Sequence, residues 1–210
     1  MRVVKLAPSL RHRDHFPGVI GLGVDPDTRA PACAAVWVPK TGRPVLLGFD
    51  VAKRVANEVR SIEAVIFSCR EVGDLIRGVL RTAVEYLNNQ DLFGLPVTLA
   101  VEGQMIYPRD KAKSSDILNL ANVTGAALGA DIGYAFRLRP LPAEWKGNVP
   151  KETSQARTFK ELGIPCKVVR SGRDAWCVPA SGLGGFSRDA WADLADAIGI
   201  ALWAAKVTSP

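Results

Sequence analysis

With 210 residues, 48% of them apolar and 23% charged, the chain has the size and balance of one globular domain with a sizeable core, which excludes a disordered or fibrous polymer. No apolar run approaches the roughly 18 residues of a membrane span, and the basic start MRVVKLAPSLRHRDH lacks the apolar centre of a secretory signal; a cytoplasmic protein with no membrane partner is expected. The net charge of +6 and a pI near 9.3 favour a polyanionic partner such as nucleic acid, without by themselves identifying one.

Residues 1–17 read as a basic arm and residues 18–210 as a single domain. The runs GVIGLGVDPD (18–27), ACAAVWVP (32–39) and PVLLGFD (44–50), joined by short turn-rich loops, predict an antiparallel meander. Residues 55–90 are mostly helical in pattern, with Val72, Leu75, Ile76, Val79, Leu80 and Val84 on one face, although VIF at 65–67 fits helix or strand. PVTLAVEGQ (96–104) predicts a buried central strand that stops at an acid. SSDILNLANVTGAALGA (114–130) predicts a helix on which Ala121, Gly125 and Ala126 form a small-residue stripe for close packing, and AFRLRPL (135–141) predicts a fifth strand. PKETSQARTFKELG (150–163) reads as a polar helix opened by Pro150 and closed by Gly163. After the Gly-rich loop SGLGGFS (181–187), Ser187 can cap a last helix. This order predicts an α/β fold: a mixed five-stranded sheet, three antiparallel strands then two parallel ones, with helices on both faces.

Cys33, Cys69, Cys166 and Cys177 are scattered with no C-x-x-C pair, which suits reduced thiols better than disulfides or a zinc site. Both histidines, His12 and His15, lie in the arm, so a His-based metal cage or a Ser-His-Asp triad has almost no material.

The last helix carries the chemistry. In DAWADLADAIGIALWAA (189–205), Leu194, Ala197, Ile198, Ala201, Leu202 and Ala205 recur at the spacing of a buried helix. Asp189, Asp193 and Asp196 fall on one face, which Ala197, Ile200 and Ala204 continue at about 100° per residue, so the acids lie on a stripe that meets the core. Asp189 sits in the first turn, where an acid complements the helix dipole, and reads as structural. Asp25 ends the first strand and Glu102 the fourth. If those strands are neighbours, Asp25, Glu102, Asp193 and Asp196 share one small volume. Asp-Pro also fits a plain turn at Asp25, and Glu102 also fits a strand end in solvent. Clustered buried acids cost several kcal/mol, roughly, and raise one another's pKa. An all-carboxylate set without His or Cys selects Mg²⁺ or Mn²⁺, and two such ions about 4 Å apart can activate a water and stabilise the leaving oxygen of a phosphodiester.

The Asp in GLGVDPD, the Glu in LAVEGQ and DLADAIGIAL on the last helix together resemble the RuvC family of Holliday junction resolvases, within the RNase H-like superfamily. SSDILNLANVTGAALGA is similar to that family's L-x-x-L-x-x-x-x-G-A helix, and PAEWKGNVPKE to its lysine-bearing segment, in a form that resembles phage-type members; the likeness spans residues 18–205. It implies an RNase H-like nuclease domain over residues 18–210. It also implies that Asp25, Glu102, Asp193 and Asp196 are catalytic and ligate two Mg²⁺ ions, for which Mn²⁺ can substitute. Lys146 and Lys151 would bind DNA by holding the scissile strand, with a solvated charge run as their alternative. Where the family has an aromatic wedge after the Glu, this chain has Met105, with Tyr107 close by. Both are candidate DNA contacts, and a rim turn before Pro108 is the plain alternative.

The implied activity is paired hydrolysis of four-way or branched DNA to 5′-phosphate and 3′-hydroxyl ends, by a homodimer that sets two sites at a fixed separation. The helix at 114–130 is a candidate interface, second to close packing on the sheet. The rivals are another RNase H-like nuclease and a junction-binding protein without catalysis. An actin-like kinase would need a second lobe and a phosphate-cradling Gly-rich motif after Asp25.

Overall fold

The computed structural model describes residues 17–27, 30–52, 62–103, 114–133, 135–182 and 185–209. Apart from Pro17, the basic arm lies outside these residues, as do Met105 and Tyr107. The chain runs through β1 (Gly18–Asp25), β2 (Ala32–Pro39), β3 (Val45–Val51), α1 (Ile62–Asn88), β4 (Val97–Val101), α2 (Ser114–Leu128), β5 (Ala135–Leu138), α3 (Pro142–Trp145), α4 (Lys151–Leu162), β6 (Cys166–Ser171), β7 (Asp174–Pro179) and α5 (Ala190–Thr208).

The sheet has the order β3-β2-β1-β4-β5. Short loops join β1, β2 and β3, so these strands pair antiparallel, whereas α1 carries the chain across to lay β4 parallel to β1, and α2 does the same for β5. This is the mixed five-stranded sheet that the order of elements predicted, with helices on both faces.

Alternation along β1 divides the core. Ile20, Leu22 and Val24 point to one face, where they pack with Val72, Ile76 and Val79 of α1 and Val123 and Ala127 of α2. Gly21 and Gly23 point to the other, directly under α5. A Cβ on Gly23 would stand 2.1 Å from the carbonyl oxygen of Ala197, and one on Gly21 would stand 1.9 Å from that of Ala201, so helix and strand touch backbone to backbone. Around that contact Ala197, Ile198 and Ala201 join Ala32, Ala34 and Val36 of β2, together with Phe159 of α4, in a second buried cluster. Before the helix, the Ser187 hydroxyl accepts the Ala190 N–H at 3.2 Å.

One expectation needs correction, and one element was not foreseen. The stripe of Ala121, Gly125 and Ala126 does not pack closely as a whole: Ala126 is half-buried against the core, but Ala121 and Gly125 are exposed, and a Cβ on Gly125 would meet nothing within 4 Å. α2 instead buries Val123 and Ala127, one turn apart, because the larger Val fills the space beside α1 and β4 better than a glycine. Residues 166–179, beyond the five predicted strands, form the β6–β7 hairpin. A lone two-stranded hairpin is marginal in water; this one is held by burial of Trp176, Cys177 and Val178 against α4 and α5, and the Trp176 indole N–H donates to the Arg188 carbonyl at 2.8 Å. VIF at 65–67 lies within α1. Among the described residues, no helix is long and apolar enough to cross a membrane.

The backbone contact predicts an asymmetric response to added methyl groups. Gly23→Ala should destabilise the protein by about 1–3 kcal/mol, the usual toll of overpacking. Gly125→Ala, on an open helical face, should be neutral or stabilise by up to about 1 kcal/mol. Urea unfolding of both variants checks this, and equal midpoints would refute the close approach of α5 to β1.

Candidate active site

The parallel register sets Val24 opposite Val101, and the Glu102 N–H donates to the Val24 carbonyl at 3.0 Å, so Asp25 and Glu102 leave adjacent strands side by side. The contact of Ala197 with Gly23 lays the first turns of α5 over that same strand end, and with them Asp193 and Asp196. Four carboxylates from three elements thus converge. Burial, and then the charges of Asp196, Glu102 and Asp193, hold the Asp25 carboxyl well above the usual range, while Lys151 pulls it down. Glu102 is also raised, first by burial, against the Trp145 hydrogen bond and the Lys146 charge.

Each engaged acid has a specific neighbour. Asp196, only 4% exposed, places Oδ2 2.8 Å from Nζ of Lys151 and accepts a hydrogen bond at Oδ1 from Nε2 of Gln155, also at 2.8 Å. Lys151 opens α4, and its side chain reaches across to α5. Burial alone would lower its pKa, but Asp196 by charge and hydrogen bond, with Asp25 and Asp193, raises it, so the ammonium is retained. Glu102 accepts the indole N–H of Trp145 at Oε1, 2.9 Å away. Gly199 makes room for that indole: a Cβ there would stand 2.7 Å from the ring. Lys146 lies over the same ring, 5.1 Å from its centroid, and its charge acts on Glu102. Asp189 is exposed at the helix start.

Among the described residues, no three His, Cys, Asp or Glu side chains are gathered tightly enough to grip one ion as they stand. Asp196 is turned to Lys151 and Gln155, and Glu102 to Trp145. The donor set nevertheless fits a hard divalent cation. It is all oxygen, and its mutual repulsion at Asp25 is the excess negative charge that such a cation relieves. Asp193 lines a cleft of about 540 Å³ and Lys151 another of about 500 Å³, and the two clefts share Asp189.

Asp25, Glu102, Asp193, Asp196, Lys146 and Lys151 therefore stand together, and Met105 and Tyr107 follow Glu102 outside the described residues. Two residues of the site escaped the sequence reading. Trp145 is adjacent to Lys146 in the segment already singled out. Gln155 lies one helical turn beyond Lys151, on the same face, and that spacing was the available signal.

By sequence, the chain matches no protein-family model and no curated protein. By structure, it is similar to RuvC of Thermus thermophilus, at 21% identity and a TM-score of 0.52 over 91% of this chain and 98% of that one. The T. thermophilus RuvC complex with a Holliday junction substrate aligns at 18% identity and a TM-score of 0.53, over 91% and 97%. The yeast mitochondrial Holliday junction resolvase aligns at 14% identity and a TM-score of 0.45, over 94% and 86%. The two RuvC likenesses establish the fold, an RNase H-like one of the RuvC kind.

The crowding at Asp25 predicts a pH effect of definite sign. Its native pKa lies above the unfolded value of about 4, so its contribution to stability is full below that pH and is lost as pH rises through the native pKa. In chelator, Asp25→Asn should melt higher than the parent at neutral pH and converge with it in acid. Thermal melts across about pH 4 to 8 test this; a constant difference would mean that Asp25 is not held protonated by its surroundings.

Proposed function

We propose that the chain is a structure-selective DNA endonuclease that resolves four-way junctions by paired, metal-dependent phosphodiester hydrolysis, leaving 5′-phosphate and 3′-hydroxyl ends. The observation that carries this reading is the convergence of Asp25, Glu102, Asp193 and Asp196 at the end of the interior strands β1 and β4, with Lys151 against Asp196. Support comes from the RuvC-like fold, since one of the similar structures holds a Holliday junction substrate.

In this reading the four acids hold two Mg²⁺ ions, or Mn²⁺ in their place. Bound there, the ions supply Lewis-acid stabilisation of charge on the attacking and leaving oxygens. Trp145 orients Glu102, and Gln155 orients Asp196. Lys146 and Lys151 neutralise phosphates of the scissile strand, and Met105 and Tyr107 contact DNA from the segment after Glu102. Symmetric incision requires two sites at a fixed separation, hence a homodimer, acting on DNA in the cytoplasm.

The test is cleavage of a labelled four-way junction beside linear and flapped duplexes. Paired symmetric nicks are expected with Mg²⁺ and none with EDTA. Asp193→Asn should cut about 100-fold more slowly or worse, the scale of losing one preorganised electrostatic group, while junction binding survives. Binding without cleavage in Mg²⁺ or Mn²⁺ would leave a junction-binding protein. Equal cutting of every substrate would move the activity to the wider RNase H-like nucleases.

A further inference from the structure

The two oxygens of Asp196 have unlike neighbours. Oδ1 accepts from Nε2 of Gln155, which also donates to the Ala192 carbonyl at 3.0 Å, while Oε1 of the same amide accepts the Cys177 N–H at 2.7 Å. Because a backbone N–H takes the amide oxygen, the NH₂ end must face Asp196, and the flip is settled by the network. Gln155 is 1% exposed, so this is a rigid, buried support. Oδ2 meets Nζ of Lys151 instead, whose side chain is 37% exposed on a flexible stem. An ammonium is a point charge without a fork to bind bidentately, and it leaves a carboxylate more readily than a guanidinium does.

We propose that Gln155 is a positioning residue that fixes Asp196 so that Oδ2 faces the acid cluster, and that Lys151 holds Oδ2 as a placeholder which a divalent cation displaces. This inference rests on the metal-dependent reading above. With Lys151 in place, the ammonium offsets the charge that Asp25, Asp193 and Asp196 would otherwise press on one another. When a cation takes Oδ2, the ammonium is released at the cleft that Lys151 lines, where a phosphate of the bound strand can receive it. Cation and lysine thus compete before DNA arrives and cooperate after it.

The experiment is calorimetric titration of Mn²⁺ into the DNA-free full chain, with thermal melts in chelator and in Mn²⁺. Lys151→Met should bind Mn²⁺ roughly tenfold more tightly than the parent, while melting lower in chelator and recovering with the ion. Lys151→Arg should bind no more tightly than the parent. Gln155→Met, which keeps the volume and loses the amide, should bind about 10–100-fold more weakly, the range for loss of a residue that supports a metal ligand. A merely structural role would move both melts but not split the affinities in opposite directions. Should Lys151→Met not fold in chelator, Lys151→Gln, which keeps a donor without the charge, is held to the same criterion. If the parent binds Mn²⁺ and the uncharged variant, Lys151→Met or Lys151→Gln, binds it equally or more weakly, the placeholder is overturned alone. If the parent shows no Mn²⁺ binding, the metal-dependent reading falls and the placeholder with it.

Discussion

The structure depends on the backbone contact between α5 and β1. Two glycines on the strand, Gly21 and Gly23, face two alanines on the helix, Ala197 and Ala201, and no side chain intervenes. The approach brings a buried helix so near a buried strand that neither glycine has room for a Cβ, and the close contact adds dispersion attraction between small residues. It also fixes the helix along its own axis. Asp196 immediately precedes Ala197, and Asp25 is two residues beyond Gly23, so the meeting of the two acids follows from the packing and needs no separate specification.

That arrangement conflicts with electrostatics. Carboxylates at the end of a buried strand raise one another's pKa, and the fold tolerates them through particular neighbours rather than through a generally polar setting. Lys151 compensates charge, Gln155 and Trp145 donate hydrogen bonds, and Gly199 is kept small so that the indole can lie where it does. Positions that violate local stability are where functional sites are expected, and here the violation is confined to one end of one sheet.

The sheet was legible because its signals are local and strong. Alternation of large residues with glycine in GVIGLGVD, turn-rich loops before and after ACAAVWVP, and the apolar run ending at Glu102 fix strand type and order once the short loops imply antiparallel pairing. The convergence of the four acids was legible for the same reason, since strand ends and a helix face can be counted. The stripe on α2 misled because small residues mark close packing only on a face that is buried, and the face is chosen by Val123 and Ala127. The hairpin was missed although its signal was present. Gly172 begins a two-residue turn at a φ of 60°, between the short runs CKVVRS and DAWCVP, a Gly-first pattern that suits tight hairpins. Its runs are short and hold charges, which weakens them as strand signals.

Spacing from Lys151 places Gln155 near the site, but its role could not be read from pattern alone, because one of the bonds that orient it comes from a residue 22 positions away. The N–H that holds the amide oxygen belongs to Cys177, on β7, and it acts with the Ala192 carbonyl, which takes the other end, to turn the NH₂ toward Asp196. β7 pairs only with β6 among the described strands and takes no part in the five-stranded sheet, yet through one backbone hydrogen bond it helps to fix the amide that meets Asp196. Anchoring by Trp176 and Val178 therefore does more than keep a marginal hairpin folded. It holds the Cys177 N–H in place, and by way of Gln155 it holds Asp196, so an element peripheral to the sheet is part of what shapes the acid cluster.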